Sequence, residues 1–543
     1  MKHLWPIGIG IVLLPLLWAA GCSDESEPPG GGGGPGGSTA TGSGIGGSST
    51  GGDGGTGGGT AGSGGSTVTC ESPAADVSIQ PGESIQDAVD ANPDGTSFLL
   101  AAGVHRLQRV QPKQGNAFYG DLSVTCDRLT TMNGSRLLDS WTQQGSTWVA
   151  SGQDQSGQVH GQCESGWERC EYPEDLYFDD VPLRHVTSAG AVGPGSWYFD
   201  YDADQVIIGD DPAGHTVEIG TTRVAFSPSS PDVTVAHLIV EKYAIPAQMG
   251  AIGDQYPETG WHIENNEVRL NHGTGIHAGT DSQVIDNHVH HNGQKGLGAH
   301  GDDILIEGNE VHDNNVAHFS AGWEAGGTKF SHTLRLIVRR NCVHHNDGPG
   351  LWTDIDNEDT LYEQNVVFDN RQQGIFHEIS FAAIIRDNLV GQNGEDFAWL
   401  YGAQILVSTS EDADVYGNQV EVAATFGNGI GVIWQDRSPW QGTGTTVHDN
   451  DVTFLGDGDV WNNTPAQTGV AADFSPANTQ AFTTNSMDGN RYHMNDTSTR
   501  HFAWDNGART FAQLQGMGQE QNGTVDTTVS TVTWSCSLVP DGS

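Results

Sequence analysis

One short pattern recurs eight times in the middle of the chain. Each copy has an apolar or aromatic residue, an Asn three places later and a Val two places after that Asn. The eight Asn residues are Asn266, Asn287, Asn309, Asn341, Asn365, Asn388, Asn418 and Asn450. Successive copies are 21, 22, 32, 24, 23, 30 and 32 residues apart. The unit is therefore about 22 residues long, with three insertions of about eight to ten residues. A repeat this short cannot bury an apolar face alone and has to stack on its neighbours.

The stretches between the repeated Asn residues predict β-strands. They are rich in Val and Ile, alternate with polar residues and are too short for pairs of helices. Six copies carry a second Asn five places after the first. Asn suits a corner, because it tolerates the left-handed backbone region and its amide can hydrogen-bond to an equivalent Asn. The pattern predicts a solenoid with a ladder of stacked Asn side chains.

A segment ahead of the repeats, VSIQPGESIQDAVDANPDGTSFLLAAGVHRL, is suited to close one end of such a solenoid. Ser84 is placed to cap a short helix whose inward residues Ile85, Ala88 and Val89 cover the first coil. With the Asn repeats, this segment resembles the right-handed parallel β-helix proteins of the pectate-lyase-like class, over most of residues 76–500. The resemblance implies an all-β, right-handed parallel β-helix and a carbohydrate substrate. It transfers no catalytic residue, since the local motifs of pectate lyases and polygalacturonases are absent from the sequence.

The composition divides the chain into six segments. Residues 1–22 have Lys2, an apolar run and small residues before Cys22, which is typical of a signal peptide. A Cys in that place resembles the lipobox of bacterial lipoproteins, in which the thiol is acylated. Residues 23–69 are mostly Gly, Ser and Thr and predict a disordered tether. The following segments are 70–126 with the capping helix, 127–222 as a β-rich insertion, 223–500 as the repeats and 501–543 as a C-terminal cap.

These segments together predict a protein anchored by lipid to the cell envelope, in an outer membrane facing the exterior or the periplasm. The alternative is an ordinary secreted protein cleaved elsewhere. With 22 Lys plus Arg against 68 Asp plus Glu, the formal charge is −46. Such a charge repels nucleic acid and anionic lipid, so membrane contact is expected through the anchor alone. We expect a monomer.

Six Cys residues remain after Cys22, an even number that predicts disulfides in an exported chain. The first expected bridge is Cys163–Cys170, in GQCESGWERCEYPEDL, and the second is Cys70–Cys126. A structural zinc site is the weaker alternative, because the sequence has no CxxC pairs.

Strand alternation predicts which side chains of the repeats face outward. Counting with period two from each corner Gly places Trp352, Asp354 and Asp356 outward on one coil, and Phe376 and Glu378 on the next. Parallel strands lie about 4.8 Å apart, so Asp354 and Glu378 are expected almost over one another. The corresponding positions on earlier coils are His277, His300 and Glu324, with Lys329 nearby. These residues predict an exposed groove that takes a polysaccharide, with Trp352, Phe376, His277 and Glu324 in contact with it.

Stacked carboxylates have three chemical uses that the sequence leaves open. They can bind Ca²⁺ through Asp354, Asp356, Asn357 and Glu378. They can act as an acid and base pair in glycoside hydrolysis, with retention at the short spacing of Asp354 and Glu378 and inversion at a wider one such as that of Asp356 and Glu378. They can belong to a lyase, in which Lys329, His300 or His377 removes a proton.

Two alternatives without chemistry stand beside these uses. One is a glycan-binding or adhesin-like surface protein with the same groove, and the other is a structural surface protein whose acids form a solvated stripe. A second cluster consists of His290, His312 and His344, which lie three places after a ladder Asn in consecutive copies, with His291 and His345 following. Stacked imidazoles can bind a transition metal, but solvated turn residues are the favoured interpretation.

Overall fold

The structure is a computed structural model that describes residues 70–255, 257–397, 399–458, 464–473 and 479–540. The expected signal peptide, Cys22 and the tether at 23–69 lie outside the described residues. Within the described part, no helix is both long and apolar enough to span a membrane.

The described residues form a parallel β-helix with three long sheets, of 13, 13 and 11 strands, and most coils contribute one strand to each. The first sheet contains Val77–Ile79, Ser97–Leu100, Ala117–Gly120, Thr234–Ala236, His262–Glu264, Gln283–Ile285, Leu305–Glu307, Ile337–Arg339, Thr360–Glu363, Ala383–Arg386, Ala413–Tyr416, Thr446–His448 and Ser486–Asp488. The second contains Gly103–Arg106, Thr130–Asn133, Ile239–Glu241, Glu267–Arg269, His288–His290, Glu310–His312, Cys342–His344, Val366–Phe368, Leu389–Gly391, Gln419–Val422, Asp451–Phe454, Arg491–His493 and Thr524–Asp526. The third contains Gly250–Ile252, Thr274–Ala278, Lys295–Asp302, Gly326–Leu334, Leu351–Asp354, Ile375–Glu378, Ala403–Ser408, Asn428–Trp434, Thr468–Ala472, Phe502–Trp504 and Gly507–Arg509.

The repeated apolar residues form one continuous core inside the three sheets. Val268 pairs in register with Val289, and Val289 with Val311, so like side chains stack from coil to coil. These Val residues are fully buried, together with the apolar residue three places before each ladder Asn. Stacking of this kind gives every coil the apolar cover that a single coil lacks.

The predicted Asn ladder is present and runs along the turns between the first and second sheets. Asn365 Nδ2 donates to Asn388 Oδ1 at 2.9 Å, and its own Oδ1 accepts from Asn341 Nδ2 at 3.0 Å. The ladder continues to Asn490 beyond the eighth copy. The expected left-handed backbone was assigned to the wrong residue, because it belongs to the residue before each Asn, as at Asp387 with φ 55°. That residue turns the chain, so the Asn amide points into the stack.

A capped helix closes the N-terminal end, as predicted. Ile85–Ala91 is helical, Ser84 Oγ accepts a hydrogen bond from Asp87 N at 3.1 Å, and Ile85 and Val89 are buried. The other helical segments are Ala321–Glu324, Ala481–Thr484 and Phe511–Gly516, with 3₁₀ turns at Ala189–Ala191, Trp399–Gly402 and Cys536–Leu538.

The β-rich insertion forms two small, mostly antiparallel sheets of its own. One contains Ser135–Leu137, Leu176–Phe178, Val181–Pro182 and Val217–Gly220, and the other contains Thr142–Gln144, Thr147–Ser151, Arg184–His185, Ser196–Asp200 and Gln205–Ile208. The insertion begins later than the expected residue 127, since Thr130–Asn133 still belongs to the second sheet. The solenoid likewise passes the expected end at residue 500, because Phe502–Trp504 and Thr524–Asp526 pair with its strands.

Three disulfides are present in the described residues. Cys163–Cys170 and Cys70–Cys126 are both present, as expected from the sequence. The third, Cys342–Cys536, joins the C-terminal segment to the outer face of the second sheet. Trp534 packs there against Phe368.

Candidate active site

The third sheet has side chains that alternate between the core and an outer face, as the sequence predicted. Leu351 lies in the core, whereas Trp352 belongs to a separate apolar cluster outside the sheet. Asp354 follows Trp352 on that outer face and pairs in register with Glu378 of the next strand. The prediction that these two acids stand over one another is therefore confirmed.

An aromatic platform lies beside the acids on the outer face. The rings of Trp352 and Phe376 stack with centroids 5.5 Å apart and an interplanar angle of 10°. Tyr401 contacts Phe376 edge-on at 6.0 Å. Leu400 and Leu406 complete the apolar surroundings. Trp352 and Phe376 are only 2% and 3% exposed, so the expectation that they line an exposed groove is wrong, and the stacked rings are buried beside the charged groups.

A chain of alternating charges runs along the same face. Lys295 forms an ion pair with Glu324, whose other oxygen lies 3.8 Å from Lys329 Nζ. Lys329 Nζ is 2.8 Å from Asp354 Oδ2 and 4.3 Å from the centre of the Trp352 ring. Asp354 Oδ1 has no hydrogen-bond partner among the described residues. A buried carboxylate oxygen without a donor is one that a hydroxyl of a ligand can satisfy.

Glu378 occupies a different electrostatic environment from its neighbour. Arg437 forms an ion pair with its Oε1, and the Tyr401 hydroxyl donates to the same atom at 3.5 Å. Burial, followed by the charge of Asp354, raises the pKa of Glu378 to about 7, although Arg437 and Lys329 act in the opposite direction. Near neutral pH this carboxyl is therefore divided between its protonated and ionised forms.

Lys329 and Glu324 both favour their charged forms despite burial. Burial opposes the charge of Lys329, but Asp354 and Glu324 outweigh it and raise its pKa. Burial also opposes the charge of Glu324, but Lys295 and Lys329 outweigh it and lower its pKa to about 2. Lys329 is thus an ammonium held between two carboxylates, which is the arrangement that a buried charge needs.

The expectation of an exposed groove is wrong for the two central acids. Asp354 is 0% exposed and Glu378 is 4% exposed. Segments from the three longest repeats cover them. The helix Ala321–Glu324 supplies Glu324, the turn Trp399–Gly402 supplies Tyr401, and loop 435–445 supplies Arg437.

The four side chains expected to bind Ca²⁺ each contact different partners. Asp356 lies in an exposed turn, where its Oδ1 accepts from Trp440 Nε1 at 2.8 Å. Asn357 is buried in a polar stack, in which its Oδ1 accepts from Thr333 Oγ1 at 2.7 Å. Asp354 and Glu378 pair with ammonium and guanidinium groups instead. The strand ends at Asp354, so Asp356, although exposed as expected, lies in the following turn and not beside Asp354 on the sheet.

The histidines named from the sequence lie at three different places. His277 is on the outer face, where burial and then Lys295 lower its pKa to about 3. His300 is exposed two strands before Asp354, with its ring 5.4 Å from that of His332, so it does not reach the acids. His377 points into the core, where its Nδ1 lies 2.8 Å from Thr353 Oγ1 and its Nε2 2.7 Å from Phe381 O. His300 and His377 are thus poorly placed to act as bases beside Asp354 and Glu378.

Several residues of the cluster were not expected from the sequence: Arg437, Tyr401, Lys295 and Gln248. Gln248 Nε2 donates to Glu324 Oε2 at 2.6 Å. Arg437 and Tyr401 lie in two of the three repeats that exceed the common length. The long intervals between ladder residues were the signal that could have identified them, because extra residues in a solenoid coil form loops over one face. Nothing in the repeat pattern marks Lys295 or Gln248.

Comparison with known proteins supports the fold. Residues 254–420 match the family model of the right-handed β-helix region. No curated protein matches the sequence. The structure of XylC with xylose is similar, with a TM-score of 0.56 and 16% identity, over 81% of this chain and 82% of that one. The fold is a right-handed parallel β-helix.

Two other solved structures are similar at lower TM-scores. The A-module of a mannuronan C-5 epimerase from Azotobacter vinelandii has a TM-score of 0.41 and 12% identity, over 84% of this chain and all 100% of that one. A structure described as a glycoside hydrolase has a TM-score of 0.36 and 11% identity, over 71% and 91% of the two chains.

Proposed function

We propose that the chain is a polysaccharide-active enzyme that hydrolyses glycosidic bonds on the outer face of its third sheet. The observation that carries the proposal is the pair formed by Asp354 and Glu378 in unlike surroundings. Glu378 has a pKa raised to about 7, whereas Asp354 is paired with Lys329. Two carboxyl groups whose surroundings differ in this way are suited to separate acid and nucleophile roles.

The spacing of the pair favours retention of configuration. Neighbouring parallel strands are about 4.8 Å apart, close to the carboxyl separation of about 5–5.5 Å that retaining enzymes use. Glu378 would donate its proton to the glycosidic oxygen as the bond to the anomeric carbon breaks. Asp354 would form an ester with that carbon. Water, deprotonated by Glu378, would then attack the same carbon, releasing the sugar and the Asp354 carboxylate and leaving Glu378 protonated again.

The platform beside the acids supports a sugar substrate. Once the covering segments move, Trp352 and Phe376 would offer stacked rings and Tyr401 a hydroxyl at their edge. The similar structure of XylC contains xylose, which favours a sugar ligand by analogy of fold. Loop 435–445 has to move for a polymer to enter, because Arg437 and Trp440 contact Glu378 and Asp356. Both contacts are polar, so a ligand's hydroxyls can replace them.

A lyase is disfavoured by the state of the available bases. Lys329 is the one ammonium next to the acids among the described residues, and its pKa is raised by Asp354 and Glu324 against burial. A base has to be unprotonated before it removes a proton. Lys329 is therefore better suited to hold Asp354 than to abstract the C5 proton of a uronate.

The proposed activity is tested on a panel of neutral and acidic glycans, with and without Ca²⁺. New reducing ends report hydrolysis, and absorbance of unsaturated uronates reports lyase activity. We expect reducing ends without unsaturation, and a loss of about 10²–10⁴-fold in kcat for Glu378→Gln. Asp356→Asn is the matched control, because Asp356 lies two places from Asp354 but is exposed. Cleavage that survives both Glu378→Gln and Asp354→Asn would show that the site is elsewhere.

A glycan-binding protein without catalysis is the second candidate. It is favoured by the complete burial of Asp354 and by the ion pairs that both acids form within the chain. In that case a glycan binds, Trp352→Ala weakens the binding, and no glycan of the panel is cut.

We also propose that Cys22 anchors the protein to the cell envelope through a lipid, on an outer membrane facing the exterior or the periplasm. Support comes from the sequence around Cys22 and from the Gly-rich segment that follows it. Mass spectrometry of the membrane fraction should find an acylated Cys22 peptide. Cys22→Ser should move the protein to the soluble fraction, and an unmodified wild-type peptide would contradict the proposal.

A further inference from the structure

The outer face of the second sheet carries a stack of imidazole rings. His290, His312 and His344 occupy one register column, and successive rings lie 4.9 Å apart with interplanar angles of 3°. Phe368 continues the column at 4.8 Å. The proposed hydrolysis does not use this face. We refer to His288, His290, His291, His312, His344 and His345 as the imidazole strip.

Two histidines of the imidazole strip and one neighbouring glutamate, His288, His312 and Glu310, lie close enough together to share a metal ion. His288 Nε2 and His312 Nε2 are 2.7 Å apart. Glu310, the register partner of His288, provides an oxygen within 4.8 Å of a nitrogen of each of the two rings. His344 lies beside this group, with its Nε2 3.2 Å from Glu310 Oε1. Two imidazoles and a carboxylate directed at one point are the ligand set of many three-residue zinc sites.

Asp313 holds His312 in the orientation that a metal ligand needs. Its Oδ2 lies 2.7 Å from His312 Nδ1. A carboxylate at one ring nitrogen keeps the proton there and leaves the lone pair of the other nitrogen free for a metal. For His312 the remaining nitrogen is Nε2, which faces His288.

We propose that His288, Glu310 and His312 bind one divalent transition-metal ion, with Zn²⁺ as the most suitable and Ni²⁺ or Cu²⁺ as related ions. Imidazole ligands select these ions over Ca²⁺, which takes oxygen ligands. The nitrogens need to separate by about 0.6 Å to reach the N···N distance of a tetrahedral centre with metal–nitrogen bonds near 2.0–2.1 Å. Three protein ligands leave a fourth position for water or for His344.

The other groups of potential ligands in the described residues are less suitable. Glu164, His318 and Asp347 surround Arg371, whose guanidinium already pairs with both acids and repels a cation. Cys342 and Cys536 are joined in a disulfide and have no thiolate to offer.

The group of His291, His312 and Asp313 shares His312 with the proposed site. The Asp313 carboxylate already hydrogen-bonds with His312 Nδ1, and His291 Nδ1 lies 2.8 Å from His290 Nδ1. These contacts make the group less suitable than the proposed one. It is still the closest rival, because it shares His312 and differs in using His291 and Asp313 in place of His288 and Glu310.

Isothermal titration of the full chain without an affinity tag tests the proposal. We expect about one equivalent of Zn²⁺ with a Kd below about 10 µM, equivalent to about −7 kcal/mol, and no comparable binding of Ca²⁺. His288→Ala and His312→Ala should each weaken Zn²⁺ at least about tenfold. His291→Ala is the matched control, since it removes an imidazole from the strip without removing a proposed ligand.

Co²⁺ gives a second measurement that does not depend on the alanine variants folding. Its visible absorption should show a four- or five-coordinate centre in the wild-type chain, and Glu310→Gln, which keeps the shape of the side chain, should change that spectrum. Three results would overturn the proposal: Kd values above about 100 µM for Zn²⁺, equal binding of Ca²⁺, or loss of binding in His291→Ala but not in His288→Ala. The last would assign the ion to the rival group.

Discussion

The interior turn of the solenoid and the outer face of its third sheet both stack polar side chains from coil to coil. In the interior, one residue type repeats, and each Asn donates to the next and accepts from the one before. On the outer face the stacked residues differ, and Lys329, Asp354 and Glu378 follow one another in neighbouring strands. Neutral Asn amides can satisfy one another's hydrogen bonds. Buried charged groups also need oppositely charged partners, which here come from other segments of the chain.

This difference separates the residues that maintain the fold from those available for chemistry. The Asn ladder pairs each amide with the next across common and long repeats alike, so it does not depend on the extra loops. The outer cluster is completed by Glu324, Tyr401 and Arg437, which come from the three repeats that exceed that length. The repeat itself places Lys329, Asp354 and Glu378 in line, and the departures from the repeat supply the residues that cover and pair with them.

The largest expected effect is on the outer face, from Lys329→Met. The substitution leaves Asp354 buried without its cation, and breaking a buried pair costs about 3–5 kcal/mol. We expect the free energy of unfolding, measured in urea, to fall by that amount.

The double variant Lys329→Met, Asp354→Asn is the control for this loss. It removes both charges, so it should be destabilised less than the sum of the two single variants. Additive losses would mean that the charges do not interact and that the outer cluster is not coupled.

A smaller effect is expected in the interior, from Asn365→Ala. This change leaves Asn341 without the oxygen that accepts from its backbone and side-chain nitrogens. Unpaired buried groups of this kind cost about 1–3 kcal/mol each, so we expect a loss of about 2–3 kcal/mol in the same urea titration. Gln419→Ala removes an exposed amide from the same solenoid and should have little effect. Equal losses in the two variants would show that the ladder does not contribute as described.

The smallest effect is expected for Asp356→Asn. Asp356 is exposed, tolerates the left-handed backbone with φ 54°, and keeps an acceptor for Trp440 after the change. Surface changes of this type stay within about 0.5 kcal/mol. A thermal melt compared with Asp354→Asn would sharpen the contrast, because the two acids are two places apart in sequence and differ in burial. A loss similar to that of Asp354→Asn would contradict the assigned burial.

The sequence alone predicted the solenoid, the Asn ladder, the capping helix at Ile85–Ala91 and two of the three disulfides. These features depend on contacts that recur at a fixed interval or lie close in sequence, so a single chain displays them directly. The register of Asp354 over Glu378 followed from the same interval.

The burial of the site was not predictable in the same way. Whether Asp354 is exposed depends on the path of loops such as 435–445, and loop paths do not follow the strand alternation that placed the acid. The pairing of Cys342 with Cys536 spans 194 residues and depends on a C-terminal segment outside the repeats. The charge environment of Glu378 likewise needed Arg437, which lies 59 residues further along the chain.

The protonation of Glu378 tests the central claim most directly, and it requires no substrate. Because burial and Asp354 raise its pKa to about 7, the carboxyl is neutral below that pH and ionised above it. Infrared difference spectra between the wild-type chain and Glu378→Gln should show one neutral carboxyl band that is present at pH 5 and disappears with a midpoint near 7. A wild-type chain without a carboxyl titrating above pH 6, or a band that persists in Glu378→Gln, would contradict the assignment of Glu378 as the acid.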